Sequence, residues 1–315
     1  MKVKAFLKKT HIGDFPSLVG LVLLLIIGGL ASNVFFSISN WANIMRQSVI
    51  LGVCALGLTF VILTGNNDLS ISGVMTMCCI IAALLITRVG LLPTILCCVL
   101  AGAAMGLITG TILSTWDMEP FVATYGMQTI GNGLAYLISG GAIVLISNMP
   151  RSCYNLVNAK VLNIPICFLV MIVLYFLCHL ILTKTRFGRY VYAIGGNPEV
   201  CHLSGISVRL IRTAVYTICG TTAGIAGVFM LSRTTVGDPS CGGTYTLQAI
   251  SACIIGGNKF NGGRGNVWFT LIGVLIVGII SNVLNLIGAS YYVQLIVQGF
   301  ITVAAVAVSS EKRKI

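Results

Sequence analysis

The sequence predicts an all-α integral membrane protein with about ten transmembrane helices and both termini cytoplasmic. Three observations predict it. Charge is scarce: 315 residues carry 19 Lys and Arg and 7 Asp and Glu, whereas an average soluble chain is about 25% charged. Apolar side chains are abundant, at 57% of residues with a mean hydropathy of +1.00. A water-soluble domain has too much surface to hide that fraction. Finally, the apolar runs are unbroken and do not alternate, which selects helices over barrel strands. These features exclude a soluble enzyme, a DNA-binding module and a disordered scaffold. The net charge of +12 does not point to nucleic acid, because the basic residues sit in the gaps between apolar runs, where membrane insertion places them.

Taken in order, the candidate spans are 17–37, 43–63, 70–87, 90–114, 121–139, 164–183, 212–232, 244–257, 266–287 and 290–309, against the roughly 20 residues a spanning helix needs. Lys2, Lys4, Lys8 and Lys9 precede the first run as they would a secretory leader. The run from Leu18 to Phe36 is too long for a leader's apolar region, so it reads as the first span. The eighth is short enough to be tilted, broken or re-entrant. Residues 1–315 then form one transmembrane domain, with no room for a separate soluble one.

Orientation follows from charge. With the N-terminus inside and ten crossings, 14 of the 19 basic residues fall on the cytoplasmic side, as the positive-inside rule requires. If the eighth stretch failed to cross, Lys312, Arg313 and Lys314 would move outside, so it is kept as a span. The 12 cysteines lie mostly inside apolar runs, where Cys acts as a small hydrophobe. Only Cys153 and Cys241 fall in expected outer loops, where one disulfide between them is conceivable but unsupported. Gly102, Gly106 and Gly110 recur every four residues, as do Gly220 and Gly224, the pattern that lets membrane helices approach closely.

Three segments spend polarity where a membrane protein rarely does. In the first, from Thr64 to Gly73, Asn66 and Asp68 are candidates for the lining of a solute path. Asn67 or Asp68 could equally cap the third span. In the second, Pro120 suits a helix's first turn. Gln128, Asn132 and Tyr136 then follow at four-residue spacing on one face. Such a stripe faces protein or water rather than lipid, as interhelical hydrogen bonding or as a path lining. The third is the cytoplasmic insert 184–212. Asn197, Pro198 and Glu199 carry the signature of a helix start and Gly205 that of a stop. A short helix outside the membrane, bracketed by basic residues, suits docking, though a plain solvated loop would carry the same charges.

Together these segments resemble the permease subunits of ribose-type ABC sugar importers, in the wider family that includes branched-chain amino acid permeases. The resemblance rests on Gly65 to Gly73, Pro120 to Met127, Gly188 to Ile206 and the glycines from Gly256 to Gly265, in the family's order over about residues 40–310. The chain departs from the pattern at Asn66-Asn67 and in the long 147–163 loop. The resemblance implies a monosaccharide permease of the cell (inner) membrane that couples to ATP hydrolysis on a separate subunit. Branched-chain amino acids and nucleosides are alternative solutes within the same family. It implies one or two ABC ATPase subunits that bind the ATP and Mg²⁺, and a periplasmic or lipid-anchored solute-binding protein. A second permease copy, identical or related, and membrane lipids complete the set, without nucleic acid. It makes Gly195, Gly196, Asn197, Pro198, Glu199, Ser204 and Gly205 the coupling segment that meets the ATPase.

The residues agree with a non-enzymatic subunit. No GxxxxGK[ST] phosphate loop is present, and Gly256-Gly257-Asn258-Lys259 has neither its spacing nor its Ser/Thr. An ion-coupled secondary transporter would call for intramembrane carboxylates, yet the acidic residues sit at termini, loops or span ends. A membrane enzyme would need clustered Asp, His or Cys, and His11, His179 and His202 are scattered. No cofactor or metal is expected on this chain.

Overall fold

The computed structural model describes residues 16–116 and 118–309. The N-terminal lysines, both termini and Asp117 lie outside the described residues. Thirteen helices and four two-residue strands make up the described chain. Six of the helices are long and apolar enough to cross a membrane.

Helix α1 (Pro16–Ala31) turns into α2 (Ile38–Leu63), which Ser37 starts by accepting a bond from the Asn40 amide at 3.2 Å. The sequence places this second span's start at 43; the cap extends it outward. From Ser48 to Leu63, α2 is buried on every side, as a helix without a polar face must be when it forms the core. Helices α3 (Ile71–Val89), α4 (Leu91–Trp116) and α5 (Pro120–Ser139) follow. After α5 come β1 (Val144–Leu145), α6 (Arg151–Asn158) and the hairpin of β2 (Lys160–Val161) with β3 (Ile164–Pro165). Helices α7 (Ile166–Lys184), α8 (Arg186–Gly196) and α9 (Pro198–Leu203) lead to α10 (Val208–Thr234). Strand β4 (Val236–Gly237), α11 (Tyr245–Gly256), α12 (Val267–Leu286) and α13 (Tyr291–Ser309) complete the fold.

Packing is set by backbone approach rather than by large side chains. Helices α4 and α10 cross where a Cβ on Gly102 would run into the Gly220 carbonyl and a Cβ on Gly220 into that of Gly102. Gly106 faces the Tyr216 carbonyl and Gly224 the Cys98 carbonyl in the same seam. The four-residue glycine spacing is therefore an interhelical contact. Two further crossings use glycines that stand outside such a repeat: Gly73 of α3 against α5, and Gly273 of α12 against the Ala252 carbonyl of α11.

The two ends of the bundle are organised differently. At the end that the charge pattern assigns to the outer side, β1 pairs with β4, which joins the loop after α5 to the loop after α10. Cys153 is fully buried there and forms no disulfide, and burial pushes its thiol up to about 11. Cys241 is also a free thiol. At the opposite end the C-terminus of α2 meets α8 and the α11–α12 turn, as described below. Helix α11 has 12 residues, about 18 Å, well short of the roughly 30 Å hydrocarbon core. The non-helical, turn-rich chain between β4 and α11, running beside α3, makes up part of the difference.

Candidate functional site

Two stretches of non-helical chain meet inside the bundle. The first, 64–70, leaves α2 through Gly65, whose positive φ of 81° suits glycine. Asn66 donates to the Thr64 hydroxyl at 3.2 Å. Asp68 is 1% exposed. Its Oδ1 accepts from the Ser70 amide at 2.8 Å and the Ser70 hydroxyl at 2.6 Å, so the carboxyl shapes its own chain two residues on. Tyr216, more than two turns inside α10, donates its hydroxyl to the Asn67 carbonyl at 2.9 Å. This pins the segment among helices rather than at their ends.

The second stretch, 238–244, descends beside α3. A Cβ on Gly242 would overlap the Ser72 carbonyl and the Thr76 hydroxyl. The two stretches then join through Thr246. Its hydroxyl donates to the Leu69 carbonyl at 3.1 Å and accepts from the Ser72 amide at 3.2 Å. Ser72 in turn accepts from Gln128 of α5 at 2.8 Å. Unwound backbone at this depth is tolerable only where protein groups satisfy it, and here each junction residue does so for a different element.

The structure thus brings Asp68 and Gln128 to the same junction through Ser70 and Ser72, with Asn66 on its inner side. It leaves Asn132 half-buried and Tyr136 exposed, so the α5 stripe divides along its length. Sequence reasoning missed three polar contacts between spans. Asn40 and Asn282 exchange bonds at 3.0 and 2.9 Å, and Thr59 meets Thr270 at 2.6 Å. Asn258, 1% exposed, donates to the Cys253 carbonyl at 2.9 Å and the Thr270 hydroxyl at 2.8 Å, and accepts from the Asn266 amide at 2.7 Å. The available signal was an isolated Asn bordering or inside an apolar run.

At the inner end Thr185 caps α8 by accepting from the Gly188 amide at 3.2 Å. Asn197 caps α9, accepting from the Glu199 and Val200 amides at 2.9 and 3.1 Å, with Pro198 in the first turn. Ser204 donates to the Val200 carbonyl at 2.8 Å, and Gly205, at φ 78°, ends the helix. Val200 and Leu203 of α9 are exposed, Leu203 by 87%, an apolar knob on a solvent-facing turn. Gly196 is exposed beside it, while Gly195 is fixed. A Cβ on Gly195 would strike the Leu63 carbonyl and the Gly263 amide. Gly263 itself donates to the Leu63 carbonyl at 3.0 Å. Gly195, at the end of α8 just before α9, is therefore in direct contact with the end of α2 and with the α11–α12 turn. A cleft of about 280 Å³ runs between Gly195, Gly196 and residues 259–264. No group of three His, Cys, Asp or Glu that could hold a metal occurs among the described residues.

Residues 40–306 match the family model described as "Branched-chain amino acid transport system / permease component". The ribose import permease protein RbsC of Escherichia coli strain K12 is 33% identical over 98% of this chain and 98% of its own length. RbsC of Bacillus subtilis is 35% identical over 93% and 92%. The D-allose transport system permease protein AlsC of Escherichia coli is 32% identical over 91% and 88%. No solved structure matches. Apolar helices, a capped inner knob and full-length similarity to sugar permeases converge: the chain is a multi-pass membrane protein that belongs to the branched-chain amino acid transport system permease family, among its ribose-type members.

Proposed function

We propose that the chain is the permease subunit of an ATP-driven importer that moves a monosaccharide into the cytoplasm. The observation that carries this reading is α9, an exposed apolar knob that directly follows α8, whose end contacts α2 and the α11–α12 turn through Gly195. A push on α9 from an ATP-hydrolysing subunit would reach the interior junction through the 64–70 segment, which starts where α2 ends. This is a lever on a packed bundle. Gly195 to Gly205 form the coupling segment; Asn66, Asp68 and Gln128 lie beside the solute path. ATP and Mg²⁺ bind the partner ATPase, a solute-binding protein delivers the sugar, and a second permease copy, identical or related, completes the pore. The relatives are named for ribose and allose, which supports a pentose or hexose over a branched-chain amino acid.

Uptake of radiolabelled D-ribose, D-allose and L-leucine by cells expressing the chain with its ATPase and binding protein tests the solute class. Sugar uptake that stops when ATP is depleted supports the reading; uptake of leucine alone refutes it. Deletion of 197–204, or Leu203→Asp, is expected to abolish uptake while the chain still reaches the membrane. Normal uptake by both would remove α9 from the coupling role. Accumulation by the chain alone in proteoliposomes under a proton gradient would make it a secondary transporter.

A further inference from the structure

Near the outer end, α2, α11, α12 and α13 enclose a polar cavity of about 180 Å³, room for several waters. Gln47 and Ser48 enter from α2, Gln248 from α11, Ser281 from α12 and Gln298 from α13, with Arg233 of α10 at the rim. Ser48 is 1% exposed and its hydroxyl has no hydrogen-bond partner. A buried hydroxyl left unpaired is costly, and here it lines a space that can hold a ligand. Gln248 donates to Gln298 at 2.6 Å. A turn deeper, Ser251 donates to Thr302 at 2.7 Å. The cavity thus continues inward as a polar seam between α11 and α13, and a smaller cleft follows it past Ser251, Ser281 and Thr302.

We infer that this cavity is a solute site for one neutral, hydroxyl-rich ring, occupied during passage between the outer face and the interior. The inference rests on the sugar-permease reading. Its chemistry comes from the lining. Amide and hydroxyl groups both donate and accept, as sugar hydroxyls do. Arg233 supplies further donors and is the one charged residue among the described lining residues. Without a carboxylate, the cavity offers no countercharge to the ammonium of an amino acid. Without a second cation, it is poorly suited to a phosphorylated sugar. Ser48 gains its missing partner when the ring arrives.

The test is uptake of D-ribose and D-allose by the complete transporter carrying Gln248→Met with Gln298→Met, which removes both polar ends of one pair and keeps the volume. Uptake at subsaturating sugar is expected to fall about tenfold, with a changed ribose-to-allose ratio. Arg233→Gln, at the exposed rim, is expected to raise the half-saturation concentration several-fold and disturbs no packing. Unchanged uptake and half-saturation in these variants, or an equal loss for both sugars as a purely structural defect would give, overturns the site. A wild-type transporter that moves neither sugar overturns the sugar reading and this site with it. A wild type that moves sugars with insensitive variants overturns the site alone.

Discussion

Asn258 shows how much one side chain can hold inside a helical bundle. It ties the end of α11 to the start of α12 through three hydrogen bonds and is almost completely buried. Asn258→Ala leaves the Asn266 amide and the Cys253 carbonyl without those partners. The cost expected is about 1–3 kcal/mol, read as a lower unfolding temperature in detergent. Asn258→Asp retains the acceptor for Asn266 but loses the donors, so it should also destabilise; stability equal to wild type in both would refute the role. Asp68 was legible as a polar residue at the mouth of α3, but neither it nor Asn67 caps that helix: the cap position is Ser70, whose amide donates to Asp68, while the Asn67 Oδ1 has no partner among the described residues. That Asp68 lies among α3, α10 and α11 was not legible, because a polar run between two apolar ones has the same composition at the surface or folded back inside. Asn258 was hidden for a related reason. Read as part of a glycine-rich turn, it carries no periodicity to show that it points inward.

At the scale of the element, spacing separates glycines poorly from one another, while geometry separates them well. The α4–α10 seam was legible because its glycines repeat every four residues. Gly131 and Gly133 of α5 look equivalent in sequence. Yet a Cβ on Gly131 would press on the backbone of Gly73 in α3, and one on Gly133 meets nothing within 4 Å. Gly131→Ala is expected to cost about 1–3 kcal/mol by overpacking. Gly133→Ala should be neutral or stabilise by up to about 1 kcal/mol, since alanine is the better helix former. Thermal unfolding of the two purified variants decides it, and equal effects would disprove the α3–α5 contact. Helix starts were legible where a cap or proline stands, as at Pro120 and Asn197. They were missed where the capping signal was not read, as at Ser37 and at Thr185, which opens α8 inside a stretch first read as loop.

For the whole molecule, the order of apolar runs was enough to set out the candidate spans, but not to show that α2 forms the core or that α4 packs against α10. The pairing of distant loops was not legible either. The β1–β4 ribbon joins residues 144–145 to 236–237 across the outer end, and the Leu63 carbonyl joins Gly195 and Gly263 across the inner end. Such contacts depend on the three-dimensional arrangement of spans, for which apolar periodicity carries no information. They also distinguish the two ends: one is braced by a ribbon between loops, and at the other the proposed coupling segment meets the end of α2 and the α11–α12 turn.

The brevity of α11 has a consequence for how the protein is made. A helix of about 18 Å carrying Gln248 and Ser251 is a poor candidate to leave the translocon and enter lipid alone. It fits the bilayer only once Gly273 of α12 lies against its backbone, so the two should insert as one hairpin during synthesis. A reporter enzyme fused after Gly263 is expected to report both sides of the membrane, and the same reporter fused after Ile287 a single side. A single orientation at Gly263 would mean that α11 crosses unaided, and that its partner helix serves transport rather than biogenesis.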